Sequence, residues 1–185
     1  MRIITGSAKG TSLHTPKSQA VIRPALAQVR EAIFSSLGDI TDWDFVDLFA
    51  GTGSLGLEAL SRGASFCTFV DIHPESLKLL RENIQKCQFA QQTAIAKLKL
   101  PFDLKRLRLK KVPHVIFCDP PYEKNLVNPC LREILKLKLL DENTWLLVEH
   151  TKREMPETEG FALIKQKKFG QTLISYLKLA KTGDK

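Results

Sequence analysis

The stretch that most narrows the folds open to this chain is residues 47–60, Asp-Leu-Phe-Ala-Gly-Thr-Gly-Ser-Leu-Gly-Leu-Glu-Ala-Leu. A short apolar run, residues 45–49, leads into Gly51, Gly53 and Gly56, and a helix-forming run follows. A strand, a glycine turn and a helix in that order hold nucleotide-like ligands at the end of a parallel sheet. Glycine permits the tight turn and lets the backbone come close to the ligand. Asp71 closes the next apolar run, residues 66–70, twenty positions after Gly51. A carboxylate at that distance accepts both hydroxyls of a ribose. A ribose-bearing ligand is expected, with Asp47, Phe49, Gly51, Gly53, Gly56 and Asp71 around it.

The spacing Gly51-x-Gly53-x-x-Gly56 also fits the dinucleotide fingerprint. Two features point elsewhere. Asp47 stands at the strand end just before the loop, where it can bind an ammonium group but would repel a pyrophosphate. Further on comes Asp119-Pro120-Pro121-Tyr122, which no dehydrogenase needs. Both suit S-adenosylmethionine, which carries an amino acid and a ribose but no phosphate.

The rest of the chain supplies a matching frame. Residues 2–5 and 11–13 read as short strands around the turn 6–10, a small basic N-terminal hairpin with Lys9, Lys17 and Arg23. Pro24 suits the first turn of a helix in which Leu26, Val29, Ile33, Phe34 and Leu37 recur at helical spacing, stopped by Gly38. The helix after Gly56 runs to about residues 62–63, and Pro74 opens another with Leu77, Leu80 and Ile84 on one face. Strands are expected at 93–97, 114–118 and 145–149, a helix at 128–139, and a terminal hairpin of 162–168 with 173–179. Strands alternating with helices imply a parallel, doubly wound sheet whose last strands run antiparallel.

At 185 residues the chain is most simply one domain, long enough to bury about 70% of its unfolded surface. No apolar stretch approaches the roughly 18 residues needed to span a bilayer, and Met1-Arg2-Ile3-Ile4 does not read as a signal peptide, so a cytoplasmic protein is expected. Cys67, Cys87, Cys118 and Cys130 are widely spaced and suit neither a metal site nor a disulfide framework. His14, His73, His114 and His150 show no ligand spacing and are expected at surface or strand-end positions, so no metal is expected. The net charge of +8 favours a polyanionic partner, although excess lysine also serves solubility. Much of it lies in residues 97–111, which read either as a solvated helix face with Leu98, Leu100, Leu104 and Leu107 inward, or as a phosphate-binding surface.

The tetrapeptide carries the chemistry. It follows the strand 114–118, at the sheet edge where such folds bind ligands. An exocyclic base amine is a poor nucleophile because its lone pair is delocalised into the ring. The Asp119 carboxylate and the Pro120 carbonyl can accept its two hydrogens, and the prolines hold those acceptors rigidly. Tyr122 can stack on a base turned out of its helix, replacing stacking worth a few kcal/mol. The plain alternative is a proline-rich turn with Tyr122 merely packed.

With both motifs placed, the chain resembles the RsmD family of bacterial small-subunit ribosomal RNA guanine-N2 methyltransferases. The likeness spans almost the whole chain: Met1-Arg2-Ile3-Ile4 with Lys9-Gly10 and Leu13, Arg23-Pro24 with Val29-Arg30-Glu31 and Phe34, the glycine motif through Arg62, and the tetrapeptide. The resemblance implies a Rossmann-like class I S-adenosylmethionine-dependent methyltransferase with a mostly parallel seven-stranded sheet. An N-terminal β-hairpin extension over residues 1–22 and a methyltransferase domain over 23–185 would form one unit. It also implies a guanine in 16S ribosomal RNA as substrate, presented on the small subunit or an assembly intermediate, with the enzyme a monomer. Asp119, Pro120 and Tyr122 would be catalytic, Arg23 would join the cofactor site, and Arg2, Lys9, Lys17 and Arg30 would contact RNA. Two departures stand out. Ala25, Leu26, Ala27 and Gln28 replace a Thr-rich segment, and no Asp or Asn follows the third strand around residues 96–99.

Other functions compete. The tetrapeptide also allows adenine-N6 methylation of DNA or RNA, although the chain has no room for a separate duplex-reading domain. A ribosome-assembly RNA-binding protein without catalysis is a second alternative, against which stand the intact Asp47, Asp71 and Asp119. An oxidoreductase is the remote third.

Overall fold

The computed structural model of the chain describes residues 1–16 and 24–180. Lys17, Arg23 and the side chains of Ala25 and Leu26, all singled out above, lie outside the described residues. The elements are α1 (Pro24–Leu37), β1 (Asp44–Leu48), α2 (Ser54–Ser61), β2 (Phe66–Asp71), α3 (Pro74–Lys86), β3 (Thr93–Lys97), β4 (Val115–Cys118), α4 (Val127–Lys136), β5 (Trp145–Thr151), β6 (Phe161–Phe169) and β7 (Thr172–Leu179). The sheet has seven strands in the order β3-β2-β1-β4-β5-β7-β6. The first five run parallel, and β7 lies antiparallel between β5 and β6. No helix of the described residues is long and apolar enough to cross a membrane.

Strand alternation divides the core. Phe45 and Phe69 point to one face, where they meet Ile33 and Phe34 of α1, Leu57 of α2 and Leu77 and Leu80 of α3. Val46, Leu48 and Val70 point to the other and pack with Leu98, Leu104 and, from α4, Leu131 and Ile134. The four cysteines are buried and unbridged, as small hydrophobes.

The order of strands reverses between β1 and β4, the place where an open α/β sheet leaves a crevice at its carboxyl edge. Leu48 stands opposite Cys118 in that pair, and Asp119 N–H donates to Leu48 O at 3.4 Å. The ends of the two motif strands therefore meet.

One expectation needs correction, and two gain detail. Residues 97–111 form no helix: β3 is followed by coil and one 3-10 turn, Leu104–Arg106. Pro101 lacks the N–H a helix needs and disfavours helical backbone before it. The four leucines are nonetheless buried. The N-terminal hairpin is present but short: one antiparallel bridge, Arg2 with Ser12, with Ile3 N–H donating to Thr11 O at 3.0 Å and Leu13 N–H to Met1 O at 2.8 Å. Beyond it Ile4 and Thr5 give their N–H groups to the Glu58 carboxylate at 2.8 and 3.1 Å, and Ser7 gives its own to Ser61 O. His150 lies near the end of β5, a strand-end position. It is fully buried between Thr151 O and Ser175 Oγ, because β7 covers β5.

Candidate active site

The glycine turn works through three different demands. Gly53 caps α2 with φ +84°, a left-handed conformation that side-chain-bearing residues rarely adopt. A Cβ on Gly56 would come within 2.4 Å of the Phe69 ring and 2.5 Å of Cys67 Sγ, so only glycine lets α2 lie this close to β2. A Cβ on Gly51 would meet nothing within 4 Å, which leaves open space beside the loop. Phe49 also has positive φ, 62°, costly for an aromatic residue, while its ring packs on the second core cluster.

Two carboxylates pin this turn. Asp71 accepts Gly51 N–H through Oδ2 and His73 N–H through Oδ1, both at 2.8 Å. Each oxygen keeps a lone pair, so the group can still accept ribose hydroxyls. Asp47 is 2% exposed and accepts Gly56 N–H at 3.1 Å. Burial, with the Asp71 charge adding and the Gly56 hydrogen bond opposing, pushes its carboxyl up to about 7.

Asp119, partly exposed at the end of β4, is raised well above the usual carboxylate range by burial and then by the charges of Glu149 and Asp47. Glu149, on β5, is raised by burial, against the hydrogen bond it accepts from the Tyr122 hydroxyl. That hydroxyl also lies 3.0 Å from Thr172 Oγ1. Burial and the Glu149 charge raise the Tyr122 phenol. The residue is 42% exposed, so the side chain is anchored at its tip and otherwise partly open to solvent. Pro120 is buried and Pro121 exposed.

The result is an unusual electrostatic arrangement. Asp47, Asp71, Asp119 and Glu149 converge at one sheet edge, and none of them is in an ion pair among the described residues. Uncompensated buried carboxylates favour a cationic ligand and repel a phosphate. S-adenosylmethionine, with its ammonium and sulfonium charges and its ribose, fits these residues; a dinucleotide pyrophosphate does not. A separate cavity of about 340 Å³ opens near Asp44 and Phe66, which begin β1 and β2, at the opposite edge of the sheet.

Of the residues expected to touch RNA, Arg2 and Lys9 are exposed on the N-terminal segment. Arg30 is not: it is 5% exposed, and its guanidinium donates to Arg2 O at 3.0 Å, beneath that segment. Burial lowers its pKa. Three residues that sequence reasoning passed over hold the site together. Asn83 donates to Thr52 O and His14 O and accepts His14 N–H, tying the glycine turn to the N-terminal segment. Its signal was present, since it stands three positions after Leu80 on the apolar face of α3, where asparagine is unfavourable without a partner. Glu58, fully buried, holds Ile4, Thr5 and Arg62. Thr172 carries no local signal and is found only through the β5–β7 pairing.

Comparison with known proteins agrees with this geometry. The family model described as "Conserved hypothetical protein 95" matches residues 1–178. Ribosomal RNA small subunit methyltransferase D of Haemophilus influenzae is 34% identical over 181 residues, covering 95% of this chain and 91% of the relative. The protein of the same name from Buchnera aphidicola (Acyrthosiphon pisum) is 30% identical over 181 residues, covering 97% and 93%. Among solved structures, the candidate methyltransferase yhhF of Escherichia coli superposes with a TM-score of 0.81 at 26% identity, over 98% of this chain and 99% of that one.

Proposed function

The chain belongs to the RsmD family, and from that premise we propose that it transfers a methyl group from S-adenosylmethionine to the N2 amine of a guanine in small-subunit ribosomal RNA. The carrying observation is the convergence of Asp47, Asp71, Asp119 and Glu149 at the β1–β4 crevice without a cationic partner among the described residues. The names of the relatives supply the substrate class, ribosomal RNA of the small subunit.

In this reading Asp71 receives the ribose hydroxyls and Asp47 the ammonium. The open space at Gly51 admits the cofactor against the backbone. When bound, the sulfonium supplies an electrophilic methyl group. Beside that positive charge Asp119 would give up its proton more readily and so serve as an acceptor. Asp119 and the Pro120 carbonyl would accept hydrogen bonds from the two amine N–H groups and aim the nitrogen lone pair at the methyl group; as the N–C bond formed and the S–C bond broke, the ionised Asp119 would take the one proton the nitrogen sheds. Acceptors fixed before reaction stabilise the positive charge that grows on the amine. Tyr122, its tip fixed by Glu149 and Thr172, offers its ring face to the extruded base.

The test is nucleoside analysis of small-subunit RNA from cells with and without this protein. One N2-methylguanosine that disappears with the protein, and returns when it is restored, is the expected result. An unchanged guanine pattern with a missing N6-methyladenosine would replace guanine by adenine as the target.

A further inference from the structure

A basic cleft of about 560 Å³, lined by Glu123, Lys152, Arg153, Lys168, Gly170 and Gln171, lies beside Tyr122. It begins at the residue after Tyr122. Its other wall is the β6–β7 turn, which ends at Thr172, the residue whose hydroxyl meets the Tyr122 hydroxyl. Tyr122 therefore stands between this cleft and the carboxylate crevice.

The cations of β6 are not equivalent. Lys165 and Lys167 share one face of the strand, and their Nζ atoms donate to Ser36 O at 3.3 Å and Ala32 O at 3.5 Å near the C-terminus of α1. Lys168 lies on the opposite face, lines the cleft, and is in no ion pair among the described residues. Lys152 is exposed directly after β5. Arg153 pairs with Glu123 at 3.1 Å, but the two side chains are 83% and 70% exposed. Such a pair contributes little, and the guanidinium can exchange it for a phosphate. At Gly170 a Cβ would meet nothing within 4 Å, so the turn presents bare backbone to the cleft.

Positive cleft and negative crevice thus adjoin across one aromatic side chain. The carboxylates repel a phosphate, the cleft attracts one, and an uncharged base is free to pass Tyr122. We propose that Lys152, Arg153 and Lys168 bind the RNA phosphates that flank the target nucleotide, so that only its base enters the crevice. This rests on the RNA methyl-transfer reading above and names the surface that reading requires.

The test uses the full chain carrying Lys152→Ala and Lys168→Ala together, with small-subunit RNA lacking the modification as the probe. RNA affinity is measured over a range of salt, and S-adenosylmethionine affinity serves as the control for folding. The expected result is a loss of RNA affinity of about tenfold or more, and a slope of log affinity against log salt shallower by roughly 1 to 2, with cofactor affinity kept. Unchanged RNA affinity and slope would overturn the proposal. So would a defect confined to assembled subunits with naked RNA bound normally, which would assign the cleft to an acidic protein surface. Wild-type chain that binds RNA with this salt dependence yet transfers no methyl group would sink the reaction and leave the cleft standing. Normal transfer by wild type with normal RNA binding by the variant would do the reverse.

Discussion

Asp47 couples the state of the crevice to pH. Its folded-state value of about 7 lies above its ordinary 3.8, so between those values the folded chain holds a proton that the unfolded chain has released. More protons bound when folded means that stability falls as pH rises through that window. Asp119 and Glu149, both raised, act in the same direction. A cationic ligand favours the ionised carboxylates and so binds better on the alkaline side. The expected outcome is that saturating S-adenosylmethionine raises the Tm more at pH 8 than at pH 5.5, and that Asp47→Asn flattens the difference. Calorimetry at the two pH values reads it directly, and an equal shift at both would remove Asp47 from the cofactor site.

At the scale of elements, the three motif glycines separate packing from ligand access. Gly56→Ala drives a methyl group into Phe69 and Cys67 of β2, an overpacked contact that costs about 1–3 kcal/mol. For a chain of this length that lowers the Tm by roughly 2–12 °C. Gly51→Ala meets no protein atom, but its φ of +55° strains the new residue by about 1–3 kcal/mol. Its added methyl group instead occupies the space open to a ligand. The expected pattern is a Tm loss for both variants, with cofactor binding still measurable for Gly56→Ala and impaired for Gly51→Ala. Equal effects on both quantities would show that the loop does not face the cofactor. The β1-turn-α2 unit was legible because each glycine answers a local demand, and its carboxylates sit at fixed distances in the chain. The Glu58 clamp was not legible, since its three partners are Arg62, one turn away, and two backbone N–H groups more than fifty residues back.

Across the whole molecule, the chain order of strands and helices followed from hydrophobic period and turn residues, and so did the antiparallel terminal hairpin. Which hairpin strand meets β5 is a question of burial. Residues 173–177 of β7 are buried on both faces, while β6 carries Lys165, Lys167 and Lys168 and takes the edge, where charge guards against further pairing. Residues 97–111 misled because leucines three to seven apart satisfy a helix pattern and equally suit a coil that drops each of them into the core. Asp119 and Glu149 were each placed near the site by the ends of their strands, but their mutual contact was not legible, because only the β4–β5 pairing brings the two together. That pairing sets a second carboxylate beside the motif, in the crevice proposed as the active site.

The most direct measurement of the central claim is transfer of a labelled methyl group from S-adenosylmethionine to small ribosomal subunits purified from cells lacking this protein, with Asp119→Ala beside the wild type. The account predicts one labelled guanine with the wild type. It also predicts a rate lower by about 100- to 1000-fold with Asp119→Ala at saturating cofactor. No transfer to subunits or to naked RNA by a wild-type chain that binds the cofactor would contradict it.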